Sequence, residues 1–276
     1  MSVSASSTIN ATNRYAYGAN VGWINWRGND GTNGAVIGEF VCSGYLYGAN
    51  IGWIHLGNGS PTNGVQYSNT ATNDYGVNHD GAGNLSGYAY GANVGWLNFE
   101  SQGAPKINLL TGNLSGYVYG ANIGWISLSN AFAFVQADSL DSGPDTDGDG
   151  IPDAWEYLYA GNLGTMNATT DNDGDGVKDI DEYRADTDPF VATEFLRITA
   201  LGVNSGGSTS TVTWTSRPTR LYQVQNRGDL SAGSWTTNTP PGLASPDVGA
   251  TTTRNVPNTV ATHRFFRVQA IKPLSP

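Results

Sequence analysis

Tyr15-Ala-Tyr-Gly-Ala-Asn-Val-Gly-Trp23-Ile24 recurs as Tyr45-Leu-Tyr-Gly-Ala-Asn-Ile-Gly-Trp53-Ile54, again from Tyr88 to Leu97, and again from Tyr117 to Ile126. The four tryptophans stand 30, 43 and 29 residues apart, so the unit is one of about 30 residues with an insertion near residues 58–75. A repeat of this period is one supersecondary unit that buries its apolar side against its neighbours. The apolar pattern has period two, which reads as strand and not as helix. Leu85–Tyr90 forms one strand, Gly95–Phe99 the next, and Gly91-Ala-Asn93-Val is the turn between them. Asn and Gly suit left-handed backbone, so Asn20, Asn50, Asn93 and Asn122 are expected in that conformation. A weaker strand before each pair, at Tyr75–Asn78 and Lys106–Leu109, completes a three-stranded antiparallel meander.

Alternation gives each unit two unlike faces. Ile24/Trp26, Ile54/Leu56, Leu97/Phe99 and Ile126/Leu128, joined by Ala16, Leu46, Ala89 and Val118, make an aliphatic face that must be core. The other face carries Tyr15, Tyr17 and Trp23, then Tyr45, Tyr47 and Trp53, Tyr88, Tyr90 and Trp96, and Tyr117, Tyr119 and Trp125. Such a face is either a second packed layer or an aromatic platform that stacks on sugar rings. On the second reading Tyr17, Trp23, Tyr47, Trp53, Tyr90, Trp96, Tyr119 and Trp125 are the candidate ligand-binding residues, with a surface polysaccharide as partner. If the meanders stack without closing, repeat one presents a strand edge, and self-association with another copy is expected there.

Composition agrees with a β-rich chain. The 276 residues include 37 Gly, which excludes a helical bundle because each mid-helix Gly costs about 1 kcal/mol. Eight Phe, eight Trp and 14 Tyr exclude a solvated, disordered chain. No run approaches the roughly 18 apolar residues of a membrane span. Met1–Asn10 lacks a basic patch and an apolar stretch, so a signal peptide is expected to be absent from this sequence. Charge divides the chain: net −2 over residues 1–135, −13 over 136–190 and +5 over 191–276. No basic cluster is interleaved with aromatics, so nucleic acid is not an expected partner. The single cysteine, Cys42, reads as a small buried hydrophobe.

The acidic block holds the strongest chemical signal. Asp145-Thr-Asp147-Gly-Asp149-Gly150-Ile151-Pro-Asp153-Ala-Trp-Glu156 fits the twelve-residue calcium loop at every position, and Asp171-Asn-Asp173-Gly-Asp175-Gly176-Val177-Lys-Asp179-Ile-Asp-Glu182 fits it again. Calcium takes six to eight oxygens. The first, third and fifth positions supply carboxylates (Asp145, Asp147, Asp149; Asp171, Asp173, Asp175), and Ile151 and Val177 supply backbone carbonyls. Asp153 and Asp179 act through water, and Glu156 and Glu182 bind with both oxygens. Two calcium ions are expected, beside short helices at Pro152–Tyr159 and Ile180–Arg184. Without a long amphipathic entering helix the loops read as structural and not as a sensor.

Three resemblances accompany these residues. The Gly-Tyr-Ala-x-x-x-Asn-x-Gly-Trp-Ile pattern over residues 14–130 resembles a repeat of large secreted and cell-surface proteins of environmental bacteria. It implies an exported, modular protein without catalytic activity. The paired loops, closed by Ala185-Asp-Thr-Asp188-Pro189, resemble the thrombospondin type 3-like calcium repeats of bacterial extracellular proteins, which implies Asp186 and Asp188 as additional ligands. Thr213-Trp-Thr-Ser, Leu221-Tyr-Gln-Val, Ser234-Trp and Arg264-Phe-Phe-Arg-Val resemble a C-terminal module of secreted proteins, taken as a display or accessory unit.

The expected architecture is therefore mainly β: a four-fold antiparallel β-repeat domain over 1–135, a calcium-loop segment with small helices over 136–190, and a C-terminal β-sandwich over 191–276. Strands are expected at Phe195–Leu201, Ser210–Trp214, Leu221–Gln225, Thr251–Arg254 and His263–Ala270. His55, His79 and His263 are scattered, and Asp30, Glu39, Asp74, Asp80 and Glu100 do not recur with the repeat, so no enzyme is expected. The expected role is a secreted or cell-surface structural protein with calcium-rigidified modules. The alternative is a carbohydrate-binding or adhesion module.

Overall fold

Each repeat motif folds as a tight hairpin, and its glycines explain how. In a computed structural model that describes residues 6–28, 32–231, 233–258 and 264–275, the hairpins are Ile9–Gly18 with Gly22–Asn25, Cys42–Gly48 with Gly52–Asn58, Leu85–Gly91 with Gly95–Phe99, and Tyr117–Gly120 with Gly124–Ser127. The turn closes through a 3.1 Å bond from the amide of Val21 to the carbonyl of Gly18, repeated at Ile51, Val94 and Ile123. A Cβ on Gly18, Gly48, Gly91 or Gly120 would lie within 2.7 Å of that turn residue's side chain. Gly22, Gly52, Gly95 and Gly124 leave the turn at φ between 76° and 80°. The left-handed residue is thus this glycine. The asparagines Asn20, Asn50, Asn93 and Asn122, expected to take that role, do not have positive φ.

Those asparagines instead join one repeat to the next. The side-chain amide of Asn50 donates to the carbonyl of Val21, Asn93 to Ile51, Asn122 to Val94, and Asn20 to Ile123, at 3.0–3.1 Å. The last bond returns from the first repeat to the fourth. Strand pairing closes in the same register: Ile24 faces Gly48, Ile54 faces Gly91, Leu97 faces Gly120, and Ile126 faces Gly18. Four hairpins therefore form an eight-stranded closed antiparallel barrel, and closure removes the strand edge that an open stack would leave. The expectation that repeat one needs a second copy to cover it rested on that edge, which this ring does not have.

The aliphatic face fills the barrel. Ala16, Leu46, Ala89 and Val118 form one layer, Ile24, Ile54, Leu97 and Ile126 a second, and Trp26, Leu56, Phe99 and Leu128 a third, all buried. Val21, Ile51, Val94 and Ile123 plug the turn end. Eight strands leave an interior just wide enough for such side chains. Cys42 is buried in this core, and burial pushes its thiol up to about 12, so it is an inert hydrophobe.

A short outer strand lies beside the first strand of the second and third hairpins, Val36–Ile37 and Val77–His79, and ahead of the fourth Lys106–Ile107 pairs with the short strand Leu114–Ser115 that leads into it. The outer strand of repeat one is Val135–Ala137, from beyond the fourth repeat, pairing Arg14 with Val135 and Ile9 with Ala137. The N-terminal residues Thr8-Ile-Asn are thus held by the chain that leaves the ring.

The chain divides into two compact units, 1–148 with 152–165 and 274–276, and 149–151 with 166–273. The acidic segment is shared between them. The second unit contains a three-stranded sheet (Ile198–Val203, Thr209–Thr215, Thr251–Pro257) and a four-stranded sheet in which Leu221–Arg227 pairs with Phe265–Ile271, Thr236–Thr237 and Leu243–Ala244. Val212, Trp214, Tyr222, Val224 and Val256 are buried together as its core, giving the expected small sandwich. His263, the expected start of the last strand, lies outside the described residues, as does Asp30. Among the described residues no helix is long and apolar enough to cross a membrane.

Candidate metal centre and the exposed aromatic face

The two acidic loops have one design. Glycines at φ between 74° and 95° (Gly148, Gly150, Gly174, Gly176) curl the backbone so that its amides point inward. Gly148 donates to the Asp145 carboxylate at 2.8 Å and Ile151 to Asp149 at 2.8 Å; Gly174 donates to Asp171 at 2.9 Å and Val177 to Asp175 at 2.7 Å. Asp145, Asp149 and Asp175 thereby give a carboxylate oxygen to the loop's own amides, and Asp171 gives both. Carboxylate oxygens of Asp145, Asp147 and Asp149 come within 4.8 Å of one another, and so do those of Asp171, Asp173 and Asp175.

The short helices follow at Asp153–Tyr159 (α1) and Asp179–Ala185 (α2), close to the expected ranges. Their first residues hold the loops in shape. Asp153 accepts from the amide and hydroxyl of Thr146 at 2.7 and 2.6 Å, and Asp179 accepts from the amide and side chain of Asn172 at 3.1 and 2.6 Å. Both carboxylates latch the loop shut at its second residue. Glu156 and Glu182, each the last loop position, are fully buried.

In the second loop, Asp173 Oδ2, Asp175 Oδ2 and Glu182 Oε2 are buried without a hydrogen-bond partner. Burial, then the charges of Asp173 and Asp175, push the Glu182 carboxyl up to about 8, and burial likewise raises Asp173. Carboxylate oxygens buried together cost free energy unless a cation or protons neutralise them. A hard divalent cation held by oxygens fits this donor set. When bound it would supply the positive charge that these groups lack.

Asp186 and Asp188 stand elsewhere. Asp186, at φ 57°, ends α2, accepts from the Thr219 hydroxyl and lies 3.8 Å from Arg220. Asp188 accepts from the amide of Phe190 at 3.0 Å, closing a turn. The sequence reading missed Arg220. Its buried guanidinium donates to the carbonyls of Tyr183 and Arg184 at 2.7 and 2.9 Å, capping the C-terminal end of α2. No local motif signals a partner 34 to 37 residues away.

Residues 145–159 and 171–192 match the bacterial TSP3 repeat family. The acidic segment carries TSP3 repeats. They span a small part of the chain. No match is found among curated proteins or among solved structures. The TSP3 family binds calcium, which agrees with the two aspartate clusters.

Outside the TSP3 segment, the aromatic face of the repeats lies on the outer wall of the barrel. Trp23, Trp53, Trp96 and Trp125 are 42–50% exposed, and Tyr17, Tyr47, Tyr90 and Tyr119 are 36–39% exposed. This overturns the reading of a second packed layer, because the barrel interior is filled by the aliphatic face alone. Each tryptophan ring lies 4.9 Å from one tyrosine (Tyr17, Tyr47, Tyr90, Tyr119) and 6.1–6.3 Å from another (Tyr15, Tyr45, Tyr88, Tyr117). The rings hold one another upright as a girdle. The scattered ionisable groups have local partners. His55 Nδ1 pairs with the Tyr75 hydroxyl at 2.8 Å, His79 Nδ1 donates to the Gly38 carbonyl at 2.8 Å, and Asp74 and Asp80 accept from loop amides.

Proposed function

We propose that this chain is a secreted or cell-surface structural protein, non-catalytic, in which two calcium ions stiffen the TSP3 segment beside rigid β modules. The observation that carries the reading is the set of buried, unpartnered oxygens of Asp173, Asp175 and Glu182, which a bound cation would neutralise. Glu156, equally buried at the same position of the first loop, supports a second ion. The TSP3 family is typical of extracellular proteins, where millimolar calcium keeps weak sites filled. Calorimetric titration of the whole chain with calcium should find two ions, and calcium should protect residues 145–192 from proteolysis. Equal cleavage in calcium and in chelator would overturn the structural role.

A second reading, carbohydrate binding or adhesion through the aromatic girdle, is favoured by the exposure of all four tryptophans. Large exposed aromatic area on a rigid wall marks a binding surface. The two readings are compatible, since a stiff calcium segment suits display of such a wall.

A further inference from the structure

The girdle is four-fold in sequence but not in shape. The insertion between the second and third repeats returns to the barrel wall at Tyr75, whose ring stands 4.9 Å from Trp96 at 87° and 6.5 Å from Tyr90. Its hydroxyl is held by His55. Trp96 consequently has three tyrosine neighbours, whereas Trp23 and Trp125 each pair with two. At Trp125 the approaching residue is Gly103, which brings no ring.

Tyr75, Tyr88 and Trp96 wall a cleft of about 400 Å³, with Asn69, Thr70 and Thr72 on its rim. This volume lies within the range of small-ligand clefts, about 300–1,000 Å³. The rim is built before any ligand arrives. Buried Asp74 accepts from the amides of Thr62 and Ser68 at 3.0 Å, Asn69 donates its amide to the Asp74 carbonyl, and the Asn69 side chain accepts from Gly76 at 3.1 Å. A preorganised loop spares the ordering cost of binding.

We propose that this cleft is a binding site for one neutral pyranose unit of a polysaccharide, making the third repeat the primary sugar site of the girdle. The inference rests on the carbohydrate reading above. Its chemistry follows from the lining: ring faces for the C–H side of a sugar, hydroxyls and an amide for its O–H groups, and no acidic or basic side chain to favour a charged one.

The test uses the whole chain in calcium. Affinity electrophoresis against mixed-linkage β-glucan, arabinoxylan, galactomannan and anionic polygalacturonate is combined with tryptophan-fluorescence titration. At least one neutral glycan should bind. Trp96→Ala and Tyr75→Ala should each weaken it about tenfold or more, and Trp23→Ala or Trp125→Ala less than about twofold. Tyr75→Phe, which keeps the ring, should retain most of the affinity. Unchanged thermal unfolding of the variants separates lost binding from lost fold. Equal loss at all four tryptophans would overturn the cleft and leave the girdle standing. Binding of polygalacturonate alone would overturn the neutral ligand, and no binding to any glycan would overturn both the cleft and the carbohydrate reading.

Discussion

Asn20→Ala tests whether the four repeats close into a ring. In a closed barrel, Asn20 does for the joint between repeats four and one what Asn50, Asn93 and Asn122 do for the other three. Its amide lies 3.0 Å from the Ile123 carbonyl, and a Cβ on Gly124 would sit 3.3 Å from the same nitrogen. A hydrogen bond of this kind contributes a net of about 0.5–1.5 kcal/mol. All four asparagines are exposed, so water can partly replace the lost donor, and the lower half of that range applies. For a unit of this size, each kcal/mol moves the melting point by roughly 2–4 °C. Urea unfolding followed by near-UV circular dichroism reads the tryptophans of the barrel. Each of the four single variants should lower the midpoint by the same small amount at constant slope. Asn20→Ala combined with Asn93→Ala, on opposite sides of the ring, should be additive to within about 0.5 kcal/mol. An open stack makes a different forecast: Asn20→Ala would be silent while the other three destabilise. That result would refute closure.

Calcium should raise the melting temperature of the second unit: a site of about 0.1 mM affinity at about 3 mM free calcium gains about 2 kcal/mol. Glu182→Gln together with Asp173→Ala should abolish the shift contributed by the second loop, measured by differential scanning calorimetry. Gly87→Ala should cost about 3 kcal/mol or more in chemical denaturation, because φ is 93° and a Cβ would lie 2.4 Å from the Gly76 carbonyl oxygen. Gly143→Ala, at φ 85° with nothing within 4 Å, should cost only the conformational penalty of about 1–2 kcal/mol. Burial holds the His79 imidazole below its ordinary range, so the unfolded chain binds a proton that the folded one refuses. Stability should therefore fall as pH drops below about 6.5, by at most about 1.4 kcal/mol per unit from this group. Denaturation curves of His79→Gln should lack that component; superimposable pH profiles for the two proteins would rule it out.

The hairpins, the division of their side chains into two unlike faces and the two acidic loops were all legible in the sequence, because each depends on spacing within a dozen residues. Period-two alternation decides which side chains share a face, and the Asp-x-Asp-x-Asp-Gly spacing decides which carboxylates converge. The single insertion at residues 58–75 was visible too, as a longer gap between tryptophans. What lies between distant residues was not. Four identical hairpins are equally consistent with a stack and a ring. The choice is made by the pairing of Tyr17 and Gly18 with Ser127 and Ile126, over a hundred residues away. That closure also decided the fate of the other aromatics: once the inward face, Trp26 and Phe99 included, fills an eight-stranded interior, Trp23, Trp53, Trp96 and Trp125 have only the outer wall to occupy. The same holds for Asp186, adjacent to the TSP3 loops in sequence yet drawn to Arg220. A buried guanidinium at the end of α2 needs an anion, and only the folded chain brings the two together.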